Sequence, residues 1–490
     1  MCHRLWAVVV VSVALLVSAC GPTTQTQRST GPKVMTFIQA TEPKLLDPSA
    51  GGLVHDDNAI WMVFDALARN DEQLVTQPQL ALSWKNLEAD KWEVKLRTGV
   101  KFTNGELFNA DAVVESFKWL TRKDAIARGN LNRVKNVERL DDFTVRFTTT
   151  TPDPRFRESL VKMLIMPTGV LRSNPESLGE HPIGTGPFKL VEWVKGERIV
   201  FEANKDYWRG APKMDRIIFK AVPEPSARIA ALQSGQADLV VNVPPESVDS
   251  LAKGRNTQVI AGASTRGITF IFNSKLPPFN EVRVRQAVNY AVDKDSLIRN
   301  ILGGKALPQL TTSYPANTGH NPDIKPYPYD PEKAKRLLAE AGYPNGFEID
   351  FSYPSGRWLK DVEVSQAVAG MLEKVGIRTK QITGEYGAFF SGWLKGDYKG
   401  MTMIGSQNEF DAAGSVQYFF YSKQSGPGYQ YSGDPKIDAF YEQQIGELDP
   451  AKREKLLHDM ESYIHDQAYW LFMYFQNDIY GASKTLKWTP

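Results

Sequence analysis

Short apolar runs, several of them alternating with polar residues at a period of two, recur along most of the chain. This alternation predicts β-strands, because successive side chains of a strand point to opposite faces of a sheet. The predicted strands are Val34–Gln39, Trp92–Arg97, Phe143–Thr148, Phe188–Trp193, Arg198–Ala203, Arg216–Ala221, Ala237–Asn242, Ile268–Asn273, Phe347–Tyr353, Ile377–Ile382 and Gly400–Ile404. Capped helices lie between them without a repeat period, so the pattern predicts an α/β fold and excludes a solenoid.

Helix starts are marked where an aspartate precedes a proline. Asp330-Pro331 begins a helix with apolar positions three and four residues apart that ends at Gly342. The same pair begins helices at Asp434-Pro435 and Asp449-Pro450. An aspartate caps the free N–H groups of a first turn, and proline fits the first helical position. The prolines from residue 308 to 331 predict a long extended loop between these elements.

The N-terminal segment has the layout of a lipoprotein signal sequence. Arg4 supplies a positive charge, Leu5–Ala19 is an uncharged apolar run, and small residues precede Cys20. Residues 1–20 are then a lipoprotein signal peptide with its lipidation site at Cys20, and polar residues 21–32 form a tether. An uncleaved anchor and a secreted protein cut at a neighbouring small residue are the alternatives.

Composition narrows the function classes. The 490 residues include 58 Lys+Arg and 56 Asp+Glu, a net charge of +2, which argues against a nucleic-acid-binding protein. A chain of this length folds as several domains. Only two cysteines are present, Cys2 and Cys20, so removal of Cys2 and lipidation of Cys20 leave no thiol for a disulfide or a metal site.

The usual catalytic motifs are missing from the sequence. It has no P-loop, no GxGxxG after a strand, no HExxH and no GxSxG. Ser250-Leu251-Ala252-Lys253 matches SxxK but lacks the companion motifs. The six histidines are scattered, and we expect them on the surface. The sequence therefore predicts a protein that is not an enzyme, with no catalytic residue, no cofactor and no metal ligand.

Distinctive segments follow one another in order along nearly all of the mature chain. They are Thr41-Glu42-Pro43, Leu46-Asp47-Pro48, Leu80-Ala81-Leu82-Ser83-Trp84, Lys95–Phe102, Asn104-Gly105, Asn109–Val113, Ile183–Phe188, Asn204–Trp208, Ala231–Asp238, Val282–Ala287 and Asp330–Ala334. Together they resemble the family 5 extracytoplasmic solute-binding proteins of ABC importers, which include dipeptide-, oligopeptide- and nickel-binding proteins. Most of these segments also have a scaffold role: in Ile183–Phe188, for example, glycine and proline suit a turn.

The resemblance implies a two-lobed periplasmic-binding-protein fold with an additional inserted domain. Lobe I would combine residues 33–55, 183–265 and 478–490, the inserted domain II would span 56–182, and lobe III would span 266–477. The chain would cross between the lobes near residues 266 and 477, and these crossings would act as a hinge around an interlobe cleft.

The resemblance also implies ligand-binding residues. In peptide-binding relatives an acid three positions after a Gly-Trp pair receives the ligand's amino terminus. The corresponding pair here is Gly405-Ser406, which lacks the tryptophan and places Glu409 at the acidic position, next to Asn408. Tyr386 lies close to a stacking aromatic of the relatives, with Trp393 as the alternative. Glu409 could instead be a solvated loop acid, and the two aromatic residues could belong to the core.

Two further candidates come from loops that follow strands. Arg357 follows the strand Phe347–Tyr353, where α/β sheets present ligand-facing loops, and could pair a ligand carboxylate or form a surface salt bridge. Glu42 follows the first strand and is a similar candidate. Asp411 is more typical of a turn or helix cap than of a ligand contact.

The sequence therefore predicts a lipid-anchored, monomeric receptor on the periplasmic or cell-surface side of the cytoplasmic membrane. Its expected partners are a small peptide or peptide-like amine, the permease subunits of an ABC importer and the membrane through its anchor, but no nucleic acid. A binding protein for another solute, such as a nickel chelate, an opine or a sugar, is the first alternative. An extracytoplasmic hydrolase and a structural lipoprotein are the others.

Overall fold

The computed structural model describes residues 31–51, 54–407, 411–423 and 431–490. Its strands are β1 Val34–Gln39, β2 Ala68–Asn70, β3 Thr76–Pro78, β4 Ala81–Glu88, β5 Lys91–Leu96, β6 Val134–Asp141, β7 Thr144–Thr149, β8 Phe188–Val194, β9 Arg198–Ala203, β10 Arg216–Ala221, β11 Leu239–Val240, β12 Thr257–Phe272, β13 Ala306–Pro308, β14 Phe347–Ser355, β15 Ile377–Glu385, β16 Met401–Gln407 and β17 Trp470–Ser483. Its helices are α1 Val54–Val63, α2 Ala110–Leu120, α3 Phe156–Lys162, α4 Thr168–Ser173, α5 Pro225–Gln233, α6 Pro245–Lys253, α7 Val282–Ala291, α8 Lys294–Asn300, α9 Pro331–Glu340, α10 Asp361–Glu373, α11 Tyr386–Lys395, α12 Ala412–Phe419, α13 Pro435–Gly446 and α14 Pro450–Asp466.

Most predicted strands are present, and the α/β prediction is confirmed. β1, β9 and β10 begin and end at the predicted residues. The strand expected at Ala237–Asn242 is reduced to the two residues of β11. The one expected at Ile268–Asn273 corresponds to the C-terminal end of the longer β12, which ends at Phe272. β17 was not predicted, because it is buried over nearly its whole length and therefore shows no alternation of apolar and polar residues.

The predicted helix caps are confirmed. The carboxylate of Asp330 accepts a hydrogen bond from the backbone N–H of Lys333 at 2.8 Å. Asp434 and Asp449 cap α13 and α14 in the same way, each followed by a proline in the first turn. Among the described residues, no helix combines the length and the apolar character needed to cross a membrane.

One sheet runs through most of the molecule. The described strands form a main sheet of 11 strands in the order β15-β14-β16-β12-β17-β11-β1-β10-β9-β8, with β13 paired to β17. The central strands β12 and β17 are antiparallel and pair from Thr257 opposite Ser483 to Ile271 opposite Trp470. They join a first sheet half (β11, β1, β10, β9 and β8) to a second sheet half (β16, β14 and β15).

The ladder between the two central strands is interrupted near its middle. The register shifts between Ala263 and Gly267, so the extra residues of β12 form a bulge there. A bulge bends a strand and increases its local twist. It lies beside residues 266 and 477, where the sequence predicts that the chain crosses between lobes.

A smaller antiparallel sheet, in the order β4-β5-β7-β6, lies in residues 56–182 together with α2, α3 and α4. Its core is continuous with that of the first sheet half. The turn at Gly184 and Gly186 helps to join them, since the Gly186 N–H donates to the carbonyl oxygen of Val63 at 2.8 Å. Neither glycine has a positive φ. A Cβ at either position would overlap the carbonyl of Val63, so close approach, not backbone freedom, explains these glycines.

A buried group of charges connects residues 133–158 to the helices of the second sheet half. We call it the ionic cluster, and it consists of Arg133, Asp153, Arg155, Glu158, Asp411 and Arg453. Arg155 pairs with Glu158 at 2.7 Å and with Asp411 at 3.4 Å, and it donates to the side chain of Gln417 at 2.9 Å. Arg155 and Asp411 are 6% and 1% exposed, so water does not screen these contacts.

Candidate functional site

The main cleft lies between the first sheet half and loops of the second. Its volume is about 540 Å³, within the range of small-molecule sites in proteins. α1 forms one side, and residues 478–488 form another. Two of the predicted site residues, Arg357 and Tyr386, lie together in its wall.

The loop that carries Arg357 is held in place by a buried carboxylate. Asp361, at the first turn of α10, is 3% exposed. It accepts hydrogen bonds from the backbone N–H groups of Gly356, Arg357 and Trp358 at 3.2, 2.8 and 3.0 Å. The ordering of this loop fixes the direction in which the Arg357 side chain leaves the backbone.

Tyr386 packs between the side chains of this loop and its own helix. It is the first residue of α11, where the preceding Glu385 caps the helix by accepting from Gly387 N–H at 2.8 Å. The Arg357 guanidinium lies 4.9 Å from the centre of the Tyr386 ring, and Trp358 meets the ring edge-on at 5.8 Å. Cation–π contact with an aromatic face stabilises a guanidinium without neutralising it.

The charge of Arg357 is available to a ligand. Among the described residues, no carboxylate lies within ion-pair distance of its guanidinium, and its side chain is exposed. Arg266, the other arginine of the cleft, pairs with Asp478 at 3.4 Å across β12 and β17. The charges of Arg266 and Asp478 cancel each other. Arg357 therefore gives the described lining of the cleft a net charge of +1 when His55 is neutral. This balance favours a ligand with a carboxylate.

The floor of the cleft is apolar. It is one face of the first sheet half, where alternate residues of β1 and β10 and those around β11 point into the cavity: Met35, Phe37, Ile217, Phe219, Leu239 and Val241. Met62 of α1, Tyr480 and Trp488 form the sides. We call the space bounded by these residues the apolar chamber. Burial and the nearby charge of Asp478 raise the pKa of Tyr480 to about 12, so its phenol is neutral at physiological pH.

The other predicted site residues lie elsewhere or outside the described residues. Trp393 is 1% exposed and packs against Phe419 and Tyr431 in the core of the second sheet half. Ser406 on β16 is 4% exposed and does not line the cavity. Asn408, Glu409 and Cys20 lie outside the described residues, so their roles stay predictions.

Glu42 has a structural contact instead of a place in the cleft wall. Its carboxylate accepts from the indole N–H of Trp193 at 2.6 Å and from the backbone N–H of Gly196 at 2.8 Å. These bonds fasten the loop after β1 to the turn between β8 and β9. Its neighbour Thr41 lines the cleft.

Two expectations about polar residues can be compared with the structure. Asp411 caps α12 by accepting from Ala413 N–H at 3.0 Å, which confirms the cap prediction. The surface expectation for histidines is wrong for His320 and His465, whose side chains are 14% and 12% exposed and whose pKa values are lowered by burial. Among the described residues, no group of three or more His, Cys, Asp or Glu side chains could hold a metal ion.

Sequence reasoning missed the pair Arg266 and Asp478 and the aromatic residues Tyr480 and Trp488. The pair lies at the crossings predicted near residues 266 and 477, and the position of these crossings is the signal that could have found it. Alternation within Val34–Gln39 and Arg216–Ala221 also marked the residues that form the floor. Tyr480 lies on β17, which was not predicted, and Trp488 follows it with no pattern of its own.

Comparison with known proteins agrees with this architecture. Residues 75–427 match the family described as bacterial extracellular solute-binding proteins, family 5 Middle. Heme-binding protein A of Haemophilus influenzae is 31% identical over 81% of this chain and 78% of its own length. The glutathione-binding protein GsiB of Pectobacterium atrosepticum is also 31% identical, over 81% and 79%.

A solved structure shows the same fold. The periplasmic binding protein DppA from Helicobacter pylori, in complex with the peptide STSA, matches with a TM-score of 0.78 and 26% identity, over 93% of this chain and 94% of that one. The predicted periplasmic-binding-protein fold is therefore confirmed. The chain belongs to the family 5 bacterial extracellular solute-binding proteins, the group to which the sequence motifs pointed.

Proposed function

We propose that this chain is a lipid-anchored receptor that captures a small peptide or peptide-like amine and delivers it to the permease of an ABC importer. The observation that carries the proposal is the arginine of the cleft wall, Arg357, which has no acidic partner among the described residues and stacks on Tyr386. A guanidinium binds a carboxylate through paired hydrogen bonds, so Arg357 receives the carboxyl end of the ligand. The named ligands of two relatives, glutathione and the peptide STSA, support a peptide-like solute.

The remaining parts of the proposal follow the family pattern. Glu409 receives the ligand's ammonium group. Lobe I comprises residues 33–55, 183–265 and 478–490, domain II comprises 56–182, and lobe III comprises 266–477. The bulge of β12 beside the crossings supports bending there. Because only the closed form contacts the ligand from both lobes, binding shifts the population towards closure.

A thermal-shift screen against peptides, nickel chelates, opines and sugars tests the proposal. A bound ligand at 100 times its dissociation constant adds about 2.7 kcal/mol to the free energy of unfolding, and we expect this only with peptides. Arg357→Met should weaken binding of a free-carboxyl dipeptide by roughly 10- to 100-fold, because a hydrogen-bonded charge is lost. The same dipeptide with an amidated carboxyl end should bind the variant and the unaltered protein equally.

The control is Arg299→Met, at the last turn of α8 and outside the cleft lining. It should leave peptide binding unchanged. Stabilisation by another solute class and not by peptides would contradict the peptide proposal and support a different cargo. Turnover of a peptide that depends on one side chain would point to a hydrolase, and the absence of any ligand-dependent shift would point to a structural role.

A further inference from the structure

The apolar chamber has no role in binding the two charged ends of a peptide. Its floor is a continuous apolar face formed by three neighbouring strands, β10, β1 and β11, and it lines the same cavity as Arg357. The residues of this floor belong to the partly or fully buried core of the first sheet half. A ligand of glycine and alanine residues alone would leave this surface in contact with water.

The buried Gln39 side chain at the edge of the chamber is already hydrogen-bonded within the protein. Gln39 is 3% exposed, and its amide N–H groups donate to the carbonyl oxygens of Thr41 and His55 at 2.9 and 3.0 Å. Its amide oxygen accepts from the side chain of Asn58 at 3.1 Å. Gln39 therefore has little hydrogen-bonding capacity left for a polar group of a ligand.

Trp488 forms an aromatic wall of the chamber, and packing within the protein buries its side chain only in part. Its ring meets Tyr480 edge-on, with the ring centres 4.9 Å apart. The Trp488 residue is 38% exposed, which makes it one of the large apolar residues that remain exposed among the described residues. Tryptophan and tyrosine side chains supply large contact areas to ligands at low conformational cost.

We infer that the cleft selects a solute with a carboxylate and a bulky apolar group. The apolar group packs in the apolar chamber between Met62 and Trp488 while the carboxylate pairs with Arg357. The inference rests on the proposed function and adds to it the class of side chain that the receptor prefers. Within the peptide class, the preferred cargo carries an aromatic or large aliphatic residue. Trp488, Tyr480 and Met62 are the residues that determine this specificity.

Calorimetry with three dipeptides tests the inference on the whole protein. The probes are alanylphenylalanine, alanylglutamine and alanylalanine, which share both charged ends and differ in the second side chain. Alanylphenylalanine should bind roughly 10- to 100-fold more tightly than alanylalanine, as expected for a phenyl group that leaves water. Alanylglutamine, which is large but polar, should bind no more tightly than alanylalanine.

Trp488→Ala should lower the affinity for alanylphenylalanine about 10-fold and leave that for alanylalanine within about two-fold, since only the phenyl group contacts the indole. Tyr329→Ala removes an aromatic residue of similar exposure outside the cleft lining, and it should change neither affinity. Equal binding of the three dipeptides, or an unchanged preference in Trp488→Ala, would overturn the inference and leave the proposed function standing. Binding of none of them would overturn both.

Discussion

At the scale of single residues, Asp411 is a buried carboxylate that lies between two guanidinium groups. It caps α12 and pairs with Arg453 at 2.7 Å and Arg155 at 3.4 Å. Burial alone would raise the pKa of Asp411, but the charges of Arg155 and Arg453 outweigh it and lower the pKa to about 2. Asp411→Asn should therefore reduce the free energy of unfolding at pH 7 by about 3–5 kcal/mol, because two buried guanidinium groups lose their shared partner.

Urea unfolding of both proteins as a function of pH measures this effect. The contribution of Asp411 is present above the unfolded-state pKa of 3.8 and is lost as the pH falls towards 2. The difference between the two proteins should therefore narrow below pH 4. Asp459→Asn breaks the exposed pair with Lys455 and serves as control, with an expected change below about 0.5 kcal/mol. A similar loss in both variants would contradict the argument.

Candidate site residues could be selected from the sequence only where a strand or a family motif lies close to them along the chain. Arg357 was selected because it follows a predicted strand, and Tyr386 because it lies close to a stacking aromatic of the family that the sequence resembles. Trp393 lies on the same helix as Tyr386, and sequence alone could not decide which of the two aromatic residues faces the cleft. Trp488 lines the cleft beside β1 and β10, which are distant along the chain, so no local sequence pattern predicts its place there.

At the scale of elements, α14 and the long loop between β13 and α9 meet at a buried acid. Glu461 is 1% exposed, and its carboxylate accepts from the backbone N–H of Asn321 at 2.8 Å. Burial raises the pKa of Glu461 to about 7, from 4.5 in the unfolded chain. The folded protein therefore holds a proton that the unfolded chain loses, and stability should fall as the pH rises from 4.5 to 7.

Glu461→Gln removes this titration while keeping the shape of the side chain. We expect the variant to be more stable than the unaltered protein at pH 8, with a difference that shrinks towards pH 5. Thermal unfolding between pH 5 and 8 measures it. His320 lies 3.9 Å from Glu461, and burial lowers its pKa, which gives the opposite pH trend in both proteins. Parallel stability curves for the two proteins would contradict the prediction.

Elements were predictable when one face is buried and the other is solvated. The alternating strand β10 and the capped helices α9 and α14 are of this kind. β17 lies between β12 and β11 and is buried on both faces, so its sequence resembles any apolar run. Strand order was not readable, because pairing partners such as β1 and β10 lie far apart along the chain.

For the whole molecule, the ionic cluster bears on the proposed hinge motion around the cleft. Residues 56–182 share a core with the first sheet half, whereas Asp411, Gln417 and Arg453 belong to the second. In the proposed hinge motion, rotation of one half against the other would therefore separate Arg155 from Asp411 and Gln417. Arg155→Met should favour the open form and increase the radius of gyration measured by small-angle scattering, with an unchanged circular dichroism spectrum.

Arg133→Met is the matched control for this prediction. It removes a positive charge from the same cluster, but the hydrogen bonds of Arg133 go to Asp153, Glu158 and the backbone of Arg155, all on one side of the joint. This variant should keep the radius of gyration of the unaltered protein. Equal expansion of both variants would show that charge balance alone, and not the contact across the joint, controls opening.

The position of β17 has a consequence for biosynthesis. This strand is the last in chain order, yet it lies in the middle of the main sheet and pairs with β11, β12 and β13. The two sheet halves are not joined into one sheet until Trp470–Ser483 has emerged from the ribosome. Because pairing over such long sequence separations is slow, the complete main sheet forms only after nearly all of the chain has been synthesised, and a chain that is not yet fully folded can be threaded through a secretion channel.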